Sequence, residues 1–118
     1  MNKKLTQFYY LEINNFQNAV REQRIQDAWK NLERAHVLGQ FFWKEHFYIH
    51  FLMLILSLKT FNCKEALGQI PRMLLAIPGS LFRKAPKGNV GTVRAGIFEP
   101  MPISDELKEI VDSCEIND

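Results

Sequence analysis

Cysteine is scarce in this chain: Cys63 and Cys114 are isolated and in no CxxC spacing, which excludes a disulfide framework and leaves both as ordinary reduced thiols with packing roles. Long apolar runs are missing too. The longest, Phe47 to Leu58, is interrupted by His50 and Ser57 and falls well short of the roughly 20 residues that cross a bilayer. It reads as a buried helix, and no membrane association is expected. The opening MNKKLTQFYY has two lysines followed by polar residues and no small-residue cleavage site, so a secretory signal is not expected and the predicted location is cytoplasmic. Excess charge is also lacking. A net charge of +2 is too weak to point to nucleic acid. No Ser, Cys or Lys stands in a nucleophile motif, so covalent catalysis has no support, and turnover is not the expected role.

What is present suits one soluble domain, 1–118, with a helical core over 1–79 and a C-terminal lid and short helix over 80–118. At 118 residues, 47% hydrophobic and 24% charged, the chain is long enough for an ordinary core without staples. Charge is unevenly distributed. Residues 66–98 hold five cations and no acid, whereas residues 99–118 hold seven acids and one cation, Lys108, so the two segments are expected to attract or to occupy opposed faces.

Helical spacing dominates the first two thirds. Helix one is predicted over about Leu5 to Glu22, with Leu5, Phe8, Tyr9, Phe16, Ala19 and Val20 on one stripe. Glu12 falls between Phe8 and Phe16 inside that stripe, where an unpaired carboxylate is costly; it needs a partner. Helix two, about Ile25 to Leu38, places Ile25, Ala28, Trp29, Leu32, Ala35 and His36 on a shared face, and Gly39 reads as its stop. Helix three, about Lys44 to Thr60, is apolar nearly all round, the mark of a central element with His50 buried. Helix four, about Lys64 to Ile77, has Ala66, Leu67, Ile70, Met73, Leu74 and Ile77 as its apolar positions, is interrupted by Pro71, and is expected to end at Pro78 and Gly79. Residues 80–103 carry Gly88, Gly91, Gly96, Pro86, Pro100 and Pro102 without a sustained period, so an irregular segment is predicted there, ordered against the bundle by Val93, Ile97 and Phe98. A last helix begins at a Ser104 cap.

The expected fold is therefore all-α: an antiparallel four-helix arrangement of two tetratricopeptide-like hairpins under an irregular lid. The likeness to a tetratricopeptide is partial, since Ala28 to Ala66 spans 38 residues where that repeat has about 34.

All three histidines, His36, His46 and His50, fall within fifteen consecutive residues. Glu33 precedes His36 by three and His46 precedes His50 by four, so each pair lies within about 60° on its own helix face. A chain reversal around Gly39 and Gln40 brings His36 opposite His46 and Glu33 opposite His50, with Glu12 of helix one at the same level. Imidazole with carboxylate suits one divalent transition metal, whether zinc, iron, nickel, cobalt or copper, better than calcium or magnesium. The same groups also make sense as a buried polar network. HExxH is absent because His46 to His50 encloses no glutamate, and only Glu33 to His36 has the Glu-x-x-His spacing of a bundle di-iron site. A weaker cluster surrounds the glycines: Lys84, Lys87, Asn89 and Arg94 are basic or polar groups whose backbone neighbours suggest an anion-binding nest, in neither the GxxxxGK[ST] nor the GxGxxG pattern.

The string from Trp29 to Gln40, His46, His50 and Met53, then Glu65, Gly68, Gln69 and Arg72, then Pro86, Gly88, Asn89, Gly91 and Pro100 to Pro102, resembles the small bacterial family called domain of unknown function 3703. The resemblance covers nearly the whole chain and implies that these residues form one pattern. It brings no activity with it, only a link to heavy-metal handling. Two functions follow as expectations: a metal-binding or accessory protein built on the histidines, and a helical-hairpin module that binds a protein or peptide while the histidines are structural.

Overall fold

The computed structural model describes residues 1–81, 87–97 and 99–116. Five helices and no strand lie among them: α1 (Lys3–Arg21), α2 (Ile25–Gly39), α3 (Trp43–Lys59), α4 (Cys63–Leu81) and α5 (Asp105–Ile116). No helix of the described residues is long and apolar enough to cross a membrane. The fold is all-α, as the periodicity predicts, with α1 packed on α2, α3 on α4, and α2 joining the two hairpins through α3.

Local chemistry sets the helix ends. Asn2 caps α1, its side-chain oxygen accepting from the Leu5 N–H at 2.8 Å and so occupying one of the donors left free in a first turn. Both hairpins close alike. Gln23 (φ 61°) and Phe61 (φ 56°) adopt the left-handed conformation, and the following N–H reaches back to the last turn, Arg24 to Ala19 O at 2.8 Å and Asn62 to Ser57 O at 2.9 Å. This is the Schellman closure, which satisfies carbonyls that a helix end leaves unpaired. The two left-handed residues lie 38 positions apart, the same offset as Ala28 and Ala66. The hairpins are thus structural equivalents at a spacing longer than the tetratricopeptide one.

The main core joins Tyr9, Ile13 and Phe16 of α1 to Leu32 and Ala35 of α2 and to Ile49, Met53 and Leu56 of α3. A second cluster, Leu5, Val37, Leu38, Leu107 and Val111, docks α5 on α1 and α2. Gly39 is the last residue of α2, one position past the predicted Leu38. A Cβ there would stand 2.9 Å from the Tyr9 ring and 3.0 Å from the Glu45 Cβ, so the glycine permits close approach at the site where the Tyr9 hydroxyl donates to the Glu45 carbonyl at 2.8 Å.

Three expectations are corrected. The apolar girth of α3 is not wrapped all round, since Tyr48, Phe51 and Leu58 are 39%, 41% and 58% exposed. In α4 the helix continues past Pro78 and Gly79 to Leu81, and its larger apolar residues point outward. Glu65, Ala66, Gln69, Ala76 and Ser80 form its buried face, whereas Leu67, Ile70 and Leu74 are exposed. Of the predicted apolar positions, Leu67, Ile70 and Leu74 share the outward face while Ala66 is buried, and the face that meets α3 is the small and polar one.

Candidate metal centre

His36 lies in the last turn of α2, and His46 and His50 lie one turn apart on α3. The short 40–42 connector brings the two helices together, and all three side chains are buried. Their Nε2 atoms form a nearly equilateral triangle: His36 to His46 is 3.0 Å, His36 to His50 is 3.1 Å, and His46 to His50 is 3.1 Å. Among the described residues these are the three groups that converge as metal-type ligands.

The outer nitrogens settle where the protons are. His36 Nδ1 meets the Asn89 carbonyl at 2.7 Å, which only accepts, so this nitrogen carries the hydrogen. His50 Nδ1 meets Gln69 Oε1 at 2.6 Å. That amide is oriented by its NH₂ group, which donates to Glu65 Oε2 and to the Gly91 carbonyl, both at 2.9 Å; its oxygen therefore faces His50 and accepts. His46 Nδ1 meets Ser80 Oγ at 2.8 Å, and the single hydroxyl hydrogen of Ser80 is given to the Gln40 carbonyl at 2.6 Å. Ser80 thus accepts from His46, and the Ala76 carbonyl is a further acceptor for the ring. Each neutral imidazole has its hydrogen on Nδ1, leaving three unprotonated Nε2 lone pairs turned toward one another.

Burial opposes relieving this by protonation. It is the largest influence on all three rings, lowering His36 well below the usual value, His46 to about 3 and His50 to about 4; the neighbouring imidazoles lower His36 and His46 further. The triangle suits a small ion. Its centre lies about 1.8 Å from each nitrogen, close to the roughly 2.0–2.1 Å zinc–nitrogen distance, so the three Nε2 atoms are the groups that would hold such an ion.

The irregular segment covers the triad. Gly91 (φ 86°) rests on the His36 ring, where a Cβ would come within 2.5 Å of Cδ2 and 2.8 Å of Nε2. Asn89 organises the loop, its side-chain oxygen accepting from the Gly91 N–H while its amide donates to the Gly96 and Glu99 carbonyls. Glu65 accepts from Val93 N–H, and Arg72 donates to the Ala95 carbonyl at 2.8 Å. The described part of the predicted lid is ordered against α4 and α2 by these bonds; Phe98 lies outside the described residues.

The acids of the expected cluster are elsewhere. Glu33 accepts from Thr92 and Arg94 on the flank of α2, and Glu12 pairs with Arg34 at 2.7 Å, which also reaches Glu106 at 2.8 Å. Glu12 does have the partner its position demands, one residue beyond Glu33. In the anion-nest reading, Asn89 and Arg94 are engaged within the protein, Lys87 is exposed at the start of the loop, and Lys84 lies outside the described residues. Periodicity did not reveal the roles of Gln69 and Ser80. Gln69 lies four residues after Glu65 on one helix face, a visible signal, whereas Ser80 had none once the helix was expected to stop at Pro78.

No curated protein and no solved structure is significantly similar to the chain. The family described as Protein of unknown function (DUF3703) matches residues 3–111, and the chain belongs to that family.

Proposed function

We propose that this protein binds one divalent transition metal through Nε2 of His36, His46 and His50, as a buffer, sensor or accessory protein rather than a catalyst. One observation carries the reading: every outer nitrogen of the triad faces an acceptor, so three lone pairs converge at 3.0–3.1 Å with no hydrogen left to place between them. Lone pairs that close repel unless a cation sits among them, and burial disfavours a proton as that cation. Acceptors holding the second nitrogen of each ligating histidine are the recurrent support of metal sites. Three neutral nitrogens suit zinc, iron, nickel, cobalt or copper, not the oxygen-seeking calcium or magnesium. Glu65, buried and joined to His50 through Gln69, supplies a nearby negative charge for the cation. The lid and the engagement of Glu33 and Glu65 with other groups favour holding an ion over turning over a substrate.

The test is calorimetric titration of metal-stripped protein, purified without an affinity tag, with zinc, nickel, cobalt and copper. One ion per chain is expected, with at least a hundredfold loss of affinity in His50→Ala. Ions that bind wild type and His50→Ala equally, or not at all, would leave the triad as a buried polar network.

A further inference from the structure

The outward face of the second hairpin is the largest feature that the histidine site leaves unexplained. On α4, Leu67, Ile70, Leu74 and Leu81 are 70%, 48%, 72% and 60% exposed. At about 100° per residue they fall within roughly 60° of one another, a straight apolar stripe running most of the helix length. Between Glu65 and Leu81 the one charged residue is Arg72, and its guanidinium is tied to the Gly68 and Ala95 carbonyls. On α3, Phe51 and Leu58 are exposed in the same spacing of seven.

The packing of the hairpins says what kind of surface this is. The first hairpin is covered by α5, which packs on α1 and α2, whereas among the described helices α4 packs on α3 alone. An array of stacked helical hairpins is soluble only when its terminal unit has a polar outer face. Here the terminal face is apolar. The exposed side chains of the α4 stripe alone form an apolar surface of about a few hundred Å², the size at which a patch on a monomer marks an interaction site.

We infer that this face is a homodimer interface, in which a second copy of the chain stacks its own α3–α4 hairpin against the first about a two-fold axis. A two-fold contact requires a patch complementary to itself. An uncharged stripe on a convex helix meets that condition, because it presents neither like charges to repel its copy nor a groove shaped for a peptide. The dimer places the two histidine triads on the inner sides of the paired hairpins and uses none of their residues, so this inference stands apart from the metal reading.

The experiment is sedimentation velocity on the full chain from low micromolar to several hundred micromolar, with wild type, Leu67→Glu and Leu74→Glu, each checked by far-UV circular dichroism. Wild type is expected at twice the 13.8 kDa chain mass, and each glutamate variant is expected to weaken association at least a hundredfold while keeping its helix content, because two carboxylates are then forced together across the axis. The Leu67→Ser/Leu74→Ser chain repeats the test without added charge, and His50→Ala is expected to dimerise like wild type. A monomer throughout the range, a dimer that none of these α4 substitutions weakens, or a monomer that instead partitions onto phosphatidylcholine vesicles overturns the inference.

Discussion

Gly91 shows how closely one residue is tied to the triad. Its positive φ of 86° already disfavours any side chain, and a Cβ would press on the imidazole of His36, the ring whose Nδ1–H is held by Asn89 two residues earlier. Gly91→Ala must therefore lift the loop or turn the ring. Either change loosens the support of one of the three proposed ligands, an effect that at a metal site typically costs 10- to 100-fold in affinity, and the strain is expected to lower stability by about 1–3 kcal/mol. Titration and thermal unfolding of the variant measure both. Wild-type affinity in Gly91→Ala would mean that the loop does not set the ring. Gln69 is bound in the same way, since its carbonyl orients His50 while its amide holds Gly91, so the triad and the lid share one side chain.

At the scale of the element, the two Schellman turns make a sharper prediction than the helices they end. A left-handed non-glycine residue costs about 1–2 kcal/mol; glycine relieves that cost, and its larger unfolded-state entropy offsets part of the gain. Gln23→Gly, at an exposed turn whose backbone bonds are independent of the side chain, is expected to stabilise the fold by about 0.5–1 kcal/mol in urea unfolding; a loss of stability would show that the glutamine side chain contributes there. α4 teaches a different lesson. It carries one apolar stripe and one small, polar stripe, and the usual rule that the apolar one faces the core fails. The polar stripe is needed inside, where Gln69 and Ser80 are acceptors for His50 and His46 and Glu65 holds the loop.

For the whole molecule, the buried imidazoles link stability to pH. Their folded values lie below the ordinary 6.5, His46 at about 3 and His50 at about 4, with His36 also well below. Between those values and 6.5 the unfolded chain binds more protons than the folded one, so stability is fully present above pH 6.5 and is lost as pH falls toward 4. Each histidine that stays neutral contributes a slope of about 1.4 kcal/mol per pH unit. Urea unfolding of metal-free protein is expected to show this loss between pH 7 and pH 5, with a shallower slope in His50→Ala. A flat profile in wild type would mean that the native cluster takes up a proton.

The sequence by itself determined the helices, their pairing into hairpins, the burial of His50 and the meeting of the three histidines, because these depend on local spacing: helical periodicity, an i,i+4 pair, and a connector too short to do anything but reverse the chain. Tertiary structure alone decided which face of α4 turned inward, that Glu33 and Glu12 went to Arg94 and Arg34, and that Ser80 joined the site. Those outcomes depend on partners far along the chain, chiefly the aperiodic 87–97 segment. Periodicity shows which residues share a face; what that face meets is fixed only when distant donors and acceptors compete for the same buried polar groups.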